Sequence, residues 1–248
     1  MTERFFYIKK LSFSLYKHIL DILFPIECVN CRLPGAWLCS ACAGRLCFNQ
    51  KSYCLHCYRP RPLGKFCEKA AVGFSLEGII IAGDYKNEVL KNLIKTYKYQ
   101  SIKNLSALLF EYLSAYLEKN GLRRAWLARS ARENALIIPV PLHKKRQALR
   151  GYNQAGIIAE RLSKKYHLEL NQNNLKRKKN NRPQAKLKGR QRLANLRDNF
   201  VWTGGNLNNR PVIIFDDITT TGTTLNECAR ALKRSGAGRI WGMVIAKG

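Results

Sequence analysis

Between Arg210 and Glu227 the chain reads RPVIIFDDITTTGTTLNE, and no other stretch restricts the fold as tightly. Four apolar residues, 212–215, predict a strand buried on both faces. The spacing of Leu225, Cys228, Ala229 and Leu232 predicts a helix starting at Thr223 or Thr224, which SGAG ends before a further strand, IWGMVIA. The threonines therefore lie on a strand-to-helix turn. Gly222 permits a backbone in which successive N–H groups converge, the helix adds its positive end, and the hydroxyls add donors, so the turn forms a cup for one phosphate. Asp216 and Asp217 come immediately before it. A sugar with its 5-phosphate in the cup would present its 2- and 3-hydroxyls to these two carboxylates, which accept hydrogen bonds.

The same alternation recurs upstream. GIIIAGDY (78–85) predicts a buried strand, and residues 87–97 a helix with Leu90, Leu93, Ile94 and Tyr97 on one face. LSALLFEYLSAYLEK predicts an amphipathic helix whose apolar stripe is core. ALIIPVPLH (135–143) predicts a short strand closed by two prolines, and after KKRQALRGYNQ a helix carries Ala155, Ile158, Ala159 and Leu162. Strands alternating with helices imply parallel pairing and right-handed crossovers. The fold class is therefore α/β, a mostly parallel sheet flanked by helices, with ligands bound beyond the carboxyl ends of its strands. No G-x-G-x-x-G follows a strand and no G-x-x-x-x-G-K-[ST] occurs, so Rossmann and Walker sites lose their main support.

Eight of nine cysteines lie between Cys28 and Cys67, which marks a small module. CVNC and CSAC supply Cys28, Cys31, Cys39 and Cys42, two C-x-x-C pairs spaced to close one tetrahedral thiolate site for zinc; a disulfide framework is the alternative, which the lack of a secretory signal disfavours. With four thiolates no coordination position stays open for substrate, so the role is structural. Cys54, Cys57 and Cys67 follow, with Ala70 where a last C-x-x-C would be completed. These three read two ways. They hold a second zinc with Cys47 or His56 as fourth ligand, or this half is metal-free and rests on Tyr53, Tyr58 and Phe66.

Lys and Arg number 44 against 16 acidic residues, a formal charge of +28, which points to a polyanionic partner. Residues 176–198 concentrate this charge, with ten basic residues and one acid. A solvated loop is the plain reading, but a run this dense inside a sheet-forming sequence also suits a segment that reaches over a site or a polyanion. Lys176, Arg177, Lys178 and Lys179 are the candidate contacts to single-stranded DNA, with Trp202 and Tyr152 as weaker stacking partners. The sequence contains no transmembrane segment, and the charged N-terminus lacks the features of a signal peptide. Residues 11–22 instead predict an amphipathic helix. The location expected is cytoplasmic.

VIIFDDITTTGTT (212–224) resembles, at all thirteen positions, the phosphoribosyl pyrophosphate binding signature of type I phosphoribosyltransferases. With the paired cysteines, PVPLH, RGYNQA and RPQAKLKGRQRLANLRDNF in that order, the chain resembles the ComF family of competence proteins from about Leu23 to Gly248. Ala70 is the main departure. The resemblance implies an N-terminal helix and zinc-ribbon module over residues 1–75, joined to a phosphoribosyltransferase-like domain over residues 76–248. It implies a role in DNA uptake during natural transformation. It also puts Asp216 and Asp217 on the ribose and Thr220, Thr221, Gly222, Thr223 and Thr224 on the 5-phosphate. Lys144, Lys145 and Arg146 would lie near pyrophosphate, with magnesium bridging it to the ribose hydroxyls and a mobile hood over 182–197. Two functions follow. One is a competence factor that binds phosphoribosyl pyrophosphate and single-stranded DNA, with other competence proteins as partners. The other is an active cytosolic phosphoribosyltransferase whose acceptor the residues do not name.

Overall fold

Apolar runs at 79–81, 136–138, 212–214 and 243–245 are buried throughout, and strands covered on both faces need the helices that parallel crossovers supply. The computed structural model describes residues 25–99, 104–122, 126–142, 144–178 and 199–248. The helix expected within 11–22 and the hood expected over 182–197 lie outside the described residues. The chain divides into two compact units, residues 1–46 and 47–248. The boundary expected at residue 75 follows the last of the clustered cysteines, Cys67, whereas Cys54, Leu55, Phe66 and Cys67 share the core of the second unit.

In the first unit, the Arg32 N–H donates to the Cys28 carbonyl (3.0 Å) and the Cys28 N–H to the Leu33 carbonyl (2.9 Å), a tight turn that brings Cys31 back beside Cys28. Helix α1 (Ser40–Ala43) starts directly after Cys39 and carries Cys42.

The second unit begins with a single 3-10 turn (Pro62–Gly64) and helix α2 (Glu68–Ala71), then strand β1 (Gly78–Asp84). Helices α3 (Glu88–Tyr99), α4 (Leu105–Lys119) and α5 (Ala128–Arg132) precede strand β2 (Leu136–Pro139). Helices α6 (Lys144–Arg150) and α7 (Gln154–Tyr166) lead to strands β3 (Glu169–Leu170), β4 (Leu175–Arg177), β5 (Phe200–Trp202) and β6 (Val212–Thr219). Helix α8 (Thr223–Arg234) and strand β7 (Ile240–Lys247) complete it. Five strands pair in parallel in the order β1-β7-β6-β2-β3, the α/β sheet that the alternation predicts. β4 and β5 form a separate antiparallel ribbon, with Leu175 opposite Trp202 and Arg177 opposite Phe200. Among the described residues no helix is long and apolar enough to cross a membrane.

Side chains alternate across the sheet, and the alternation sorts everything packed on it. Ile79, Ile81, Leu136, Ile138, Val212, Ile214, Ile240 and Val244 share one core with Leu225, Cys228 and Leu232 of α8, Leu175 and Phe200 of the ribbon, and Cys54, Leu55, Phe66 and Cys67. The intervening residues Ile80, Ile137, Ile213, Phe215 and Met243 point to the other face. Helix α3 turns Val89, Leu90, Leu93, Ile94 and Tyr97 inward, and α7 does the same with Ala155, Ile158, Ala159 and Leu162, the stripes that helical spacing predicts.

β6 runs four residues beyond VIIF. The sequence places the two carboxylates directly before the turn, and pairing with β7 continues at Asp216 opposite Val244, Ile218 opposite Ala246 and Thr219 opposite Lys247, so the strand includes both acids and Thr219.

Candidate functional site

From β2 the chain proceeds outward to β3, and from β6 it proceeds through α8 to β7 on the opposite side. The strand order therefore reverses between β2 and β6, and the carboxyl ends of strands at such a point are where an open α/β sheet has its ligand crevice. β2 delivers Val140, Pro141 and α6 to one side of this crevice. The backbone of Lys144, Lys145 and Arg146 opens α6, and their side chains lie outside the described part of the structure. β6 delivers Asp216, Asp217 and the threonine turn to the other side. Two segments that the sequence places far apart thus meet at one edge of the sheet.

At the end of β6 the Thr219 hydroxyl accepts the Gly222 N–H (3.1 Å), and the Thr221 and Thr223 hydroxyls lie 2.7 Å apart. Gly222 has φ 77°, the left-handed conformation that glycine tolerates, and stands at the N-cap of α8. No side chain caps that helix, so the positive end of a twelve-residue helix faces the turn. Thr220 and Thr221 are exposed, Thr223 and Thr224 half-buried, and Gly222 buried. Hydroxyls gathered at the uncapped N-terminus of a helix suit a phosphate monoester.

As adjacent strand residues, Asp216 and Asp217 point to opposite faces. Asp216 lies on the face of α8 and the ribbon, where its carboxylate accepts the Asp217 N–H (2.8 Å). Burial, then repulsion from Asp217, pushes its pKa up to about 7, with Lys98 and Arg177 opposing the rise. Asp217, on the other face, pairs with Lys98 of α3 at 2.7 Å, and both side chains are largely buried. Nothing in the spacing of α3 marks Lys98 as a partner of β6. Its position follows from contacts of the RGYNQ segment: the Tyr97 hydroxyl donates to the Gln154 carbonyl (3.0 Å) and the Tyr152 hydroxyl to the Tyr97 carbonyl (3.0 Å). The Asn153 amide also donates to the Val140 carbonyl (3.1 Å) and ties the same segment to the end of β2. Tyr152 is 8% exposed and committed to this joint, which removes it as a stacking surface for bases.

On the ribbon, Lys176 and Lys178 are exposed while Arg177 is half-buried, with its guanidinium 5.5 Å from the centre of the Phe200 ring and its charge felt at Asp216. Strand alternation thus divides the basic cluster into two outward lysines and one inward arginine. Lys179 lies outside the described residues. Trp202 is half-buried, and its indole N–H donates to the Gly205 carbonyl (2.9 Å).

Two cysteine groups have donor atoms within 4.8 Å of one another: Cys28, Cys31, Cys39 and Cys42, and Cys54, Cys57 and Cys67. In the first, burial raises the Cys28 thiol, but N–H groups of Cys31, Cys39 and Asn30 outweigh it and hold the pKa at about 6. Burial pushes Cys42 up to about 12; the Asn30 amide opposes this rise, and the neighbouring thiols add to it. Four crowded sulfurs cannot all ionise unless a cation joins them, and this donor set fits a tetrahedral zinc. In the trio, burial again opposes N–H groups of Cys57, Cys67 and His56, which bring Cys54 down to about 7, and the Cys67 N–H lies 3.4 Å from the Cys54 sulfur. Neither Cys47 nor His56 belongs to that group, and both are exposed. Ala70, where a fourth cysteine would complete the pattern, is buried in the core instead.

No family model matches the chain. Competence protein F of Haemophilus influenzae is 31% identical over 236 residues, which span 90% of this chain and 98% of that protein. The DNA utilization protein YhgH of Shigella flexneri is 29% identical over 225 residues, 87% of this chain and 94% of that protein. Competence protein ComFC of Bacillus subtilis is 24% identical over 209 residues, 82% of this chain and 80% of that protein.

Proposed function

Because the chain belongs to the ComF family of competence proteins, we propose that it serves in competence, the uptake and use of DNA, and that its β2–β6 crevice binds phosphoribosyl pyrophosphate. The observation that carries the second half is the juxtaposition at one switch point of a hydroxyl-rich helix head with two carboxylates. The turn from Thr220 to Thr224 holds the 5-phosphate, and the acids accept the ribose hydroxyls. The start of α6 supplies cations for the pyrophosphate. A magnesium ion carried with the pyrophosphate would neutralise part of its charge, and carboxylate oxygens such as those of Asp216 and Asp217 suit that hard cation. If the ligand turns over, positive charge grows on the ribose ring near these carboxylates, and they stabilise it.

The exposed lysines of the ribbon, together with the overall charge of +28, support single-stranded DNA as a second ligand. Other competence proteins are natural partners in the same role. The intact signature also supports a second reading, a phosphoribosyltransferase with an unidentified acceptor. Release of pyrophosphate from phosphoribosyl pyrophosphate on addition of candidate acceptors separates the two readings. The binding proposal itself is tested by calorimetric titration of phosphoribosyl pyrophosphate with magnesium, and by filter binding of single-stranded DNA to the same preparation. Lack of binding by the intact, zinc-loaded protein to either compound overturns the corresponding half.

A further inference from the structure

The cysteine trio and the phosphate turn are distant in sequence and adjacent in space. Gly222 is buried in a socket where an added Cβ would lie 3.0 Å from Ile79 Cδ1, 3.2 Å from Leu55 Cδ2 and 3.4 Å from Phe74 Cε1. Leu55 is the residue inside the Cys54–Cys57 knuckle, and the Phe74 ring packs 4.4 Å from that of Phe66, which directly precedes Cys67. A second attachment runs through Asn226 in the first turn of α8. Its carbonyl oxygen accepts the Ser75 N–H (2.7 Å), and its amide donates to the Gly73 carbonyl (3.1 Å). Arg230 donates to the same carbonyl at 3.2 Å. The backbone that leaves Cys67 through α2 is thus fastened to the head of α8, and the knuckle that begins at Cys54 is wedged under its N-cap.

The segment from Cys54 to Cys67 is folded by short-range bonds, the Cys54 N–H donating to the Arg59 carbonyl (3.0 Å) and the Tyr58 N–H to the Cys54 carbonyl (2.8 Å), and is tied to the strand side by the Phe66 N–H to the Glu77 carbonyl (2.8 Å). His56 and residues 58–62 are exposed, and its regular structure is one 3-10 turn. The three sulfurs converge within 4.8 Å of one another at its two ends, so a cation that joins them adds a restraint to this geometry, which reaches Gly222 through Leu55 and Asn226 through Gly73. We propose that the Cys54–Cys57–Cys67 trio is a positioning device for the phosphate turn: a thiophilic divalent cation held there fixes the socket of Gly222 and so sets the affinity of the crevice for its phosphate ligand. The affinity half rests on the phosphate-binding reading above. Three protein thiolates hold a cation less tightly than four, so the trio is the first of the two groups to lose it.

The experiment uses full-length zinc-loaded protein, stepwise chelation and the Leu55→Ala variant, which leaves every thiol in place. Zinc content, affinity for phosphoribosyl pyrophosphate and hydrogen exchange of amides 219–226 are read on each sample. Two zincs per chain are expected. Loss of the first should weaken binding at least about five-fold, the low end of site-to-site coupling, and speed exchange at 222–226 while amides 212–215 stay protected. Leu55→Ala should weaken binding similarly with both zincs retained. One zinc in the native protein, or unchanged exchange and affinity in both the depleted protein and Leu55→Ala, overturns the inference. If the intact protein binds no phosphoribosyl pyrophosphate, the ligand reading fails, and the exchange at 222–226 still decides whether the trio positions the turn.

Discussion

Asp216 is held close to its proton at neutral pH, because burial and the charge of Asp217 outweigh the pull of Lys98 and Arg177. Its folded pKa, about 7, lies above its unfolded value, so the group favours folding below pH 4 and this contribution is lost as pH rises to 7. Asp216→Asn, which keeps the acceptor for the Asp217 N–H, should therefore be more stable than wild type at pH 8 and equal to it at pH 3.5, as read by urea denaturation. A ribose that donates hydroxyls to the ionised carboxylate should bind more tightly at pH 8 than at pH 6, and Asp216→Asn should lose that dependence. Lys98→Met leaves Asp217 buried without its counter-ion and should cost roughly 3 kcal/mol, the low end for breaking a buried pair. The sequence displays both aspartates but conceals that they face opposite ways. VIIF ends where apolar residues end, and only the partner strand β7 shows that the strand continues through them.

At the scale of elements, the long helices and buried strands were legible because apolar spacing alone determines them. The ribbon was not, since LKR and FVW are too short to carry a period and pair, among the described residues, only with each other. The turn was legible as a strand-to-helix junction from its glycine and the apolar spacing that follows. Its seating on Leu55 and Phe74 was not, because no local pattern links a cysteine knuckle to a helix that follows far downstream. Gly222→Ala would force a side chain into both a left-handed backbone and this filled socket. It should destabilise the protein by about 1–3 kcal/mol and weaken phosphate binding with the zinc content unchanged.

For the whole molecule, the charge of +28 fits a protein that works against a polyanion, and exposed lysines on the ribbon give that charge an address. Replacing Lys176 and Lys178 with Gln should lower the salt slope of single-stranded DNA binding by roughly 0.7 for each phosphate that is no longer neutralised. Affinity for phosphoribosyl pyrophosphate should not change, since both side chains are exposed and it is Arg177 between them whose charge reaches Asp216. The central claim is that the crevice between β2 and β6 is a sugar-phosphate site, and calorimetry with phosphoribosyl pyrophosphate and magnesium on wild type and the Asp216→Asn, Asp217→Asn double variant tests it most directly. Binding by wild type and a loss on the order of 100-fold or more in the double variant are expected, because two charge-assisted hydrogen bonds disappear. Equal affinity in the two proteins, with both folded, would contradict the account.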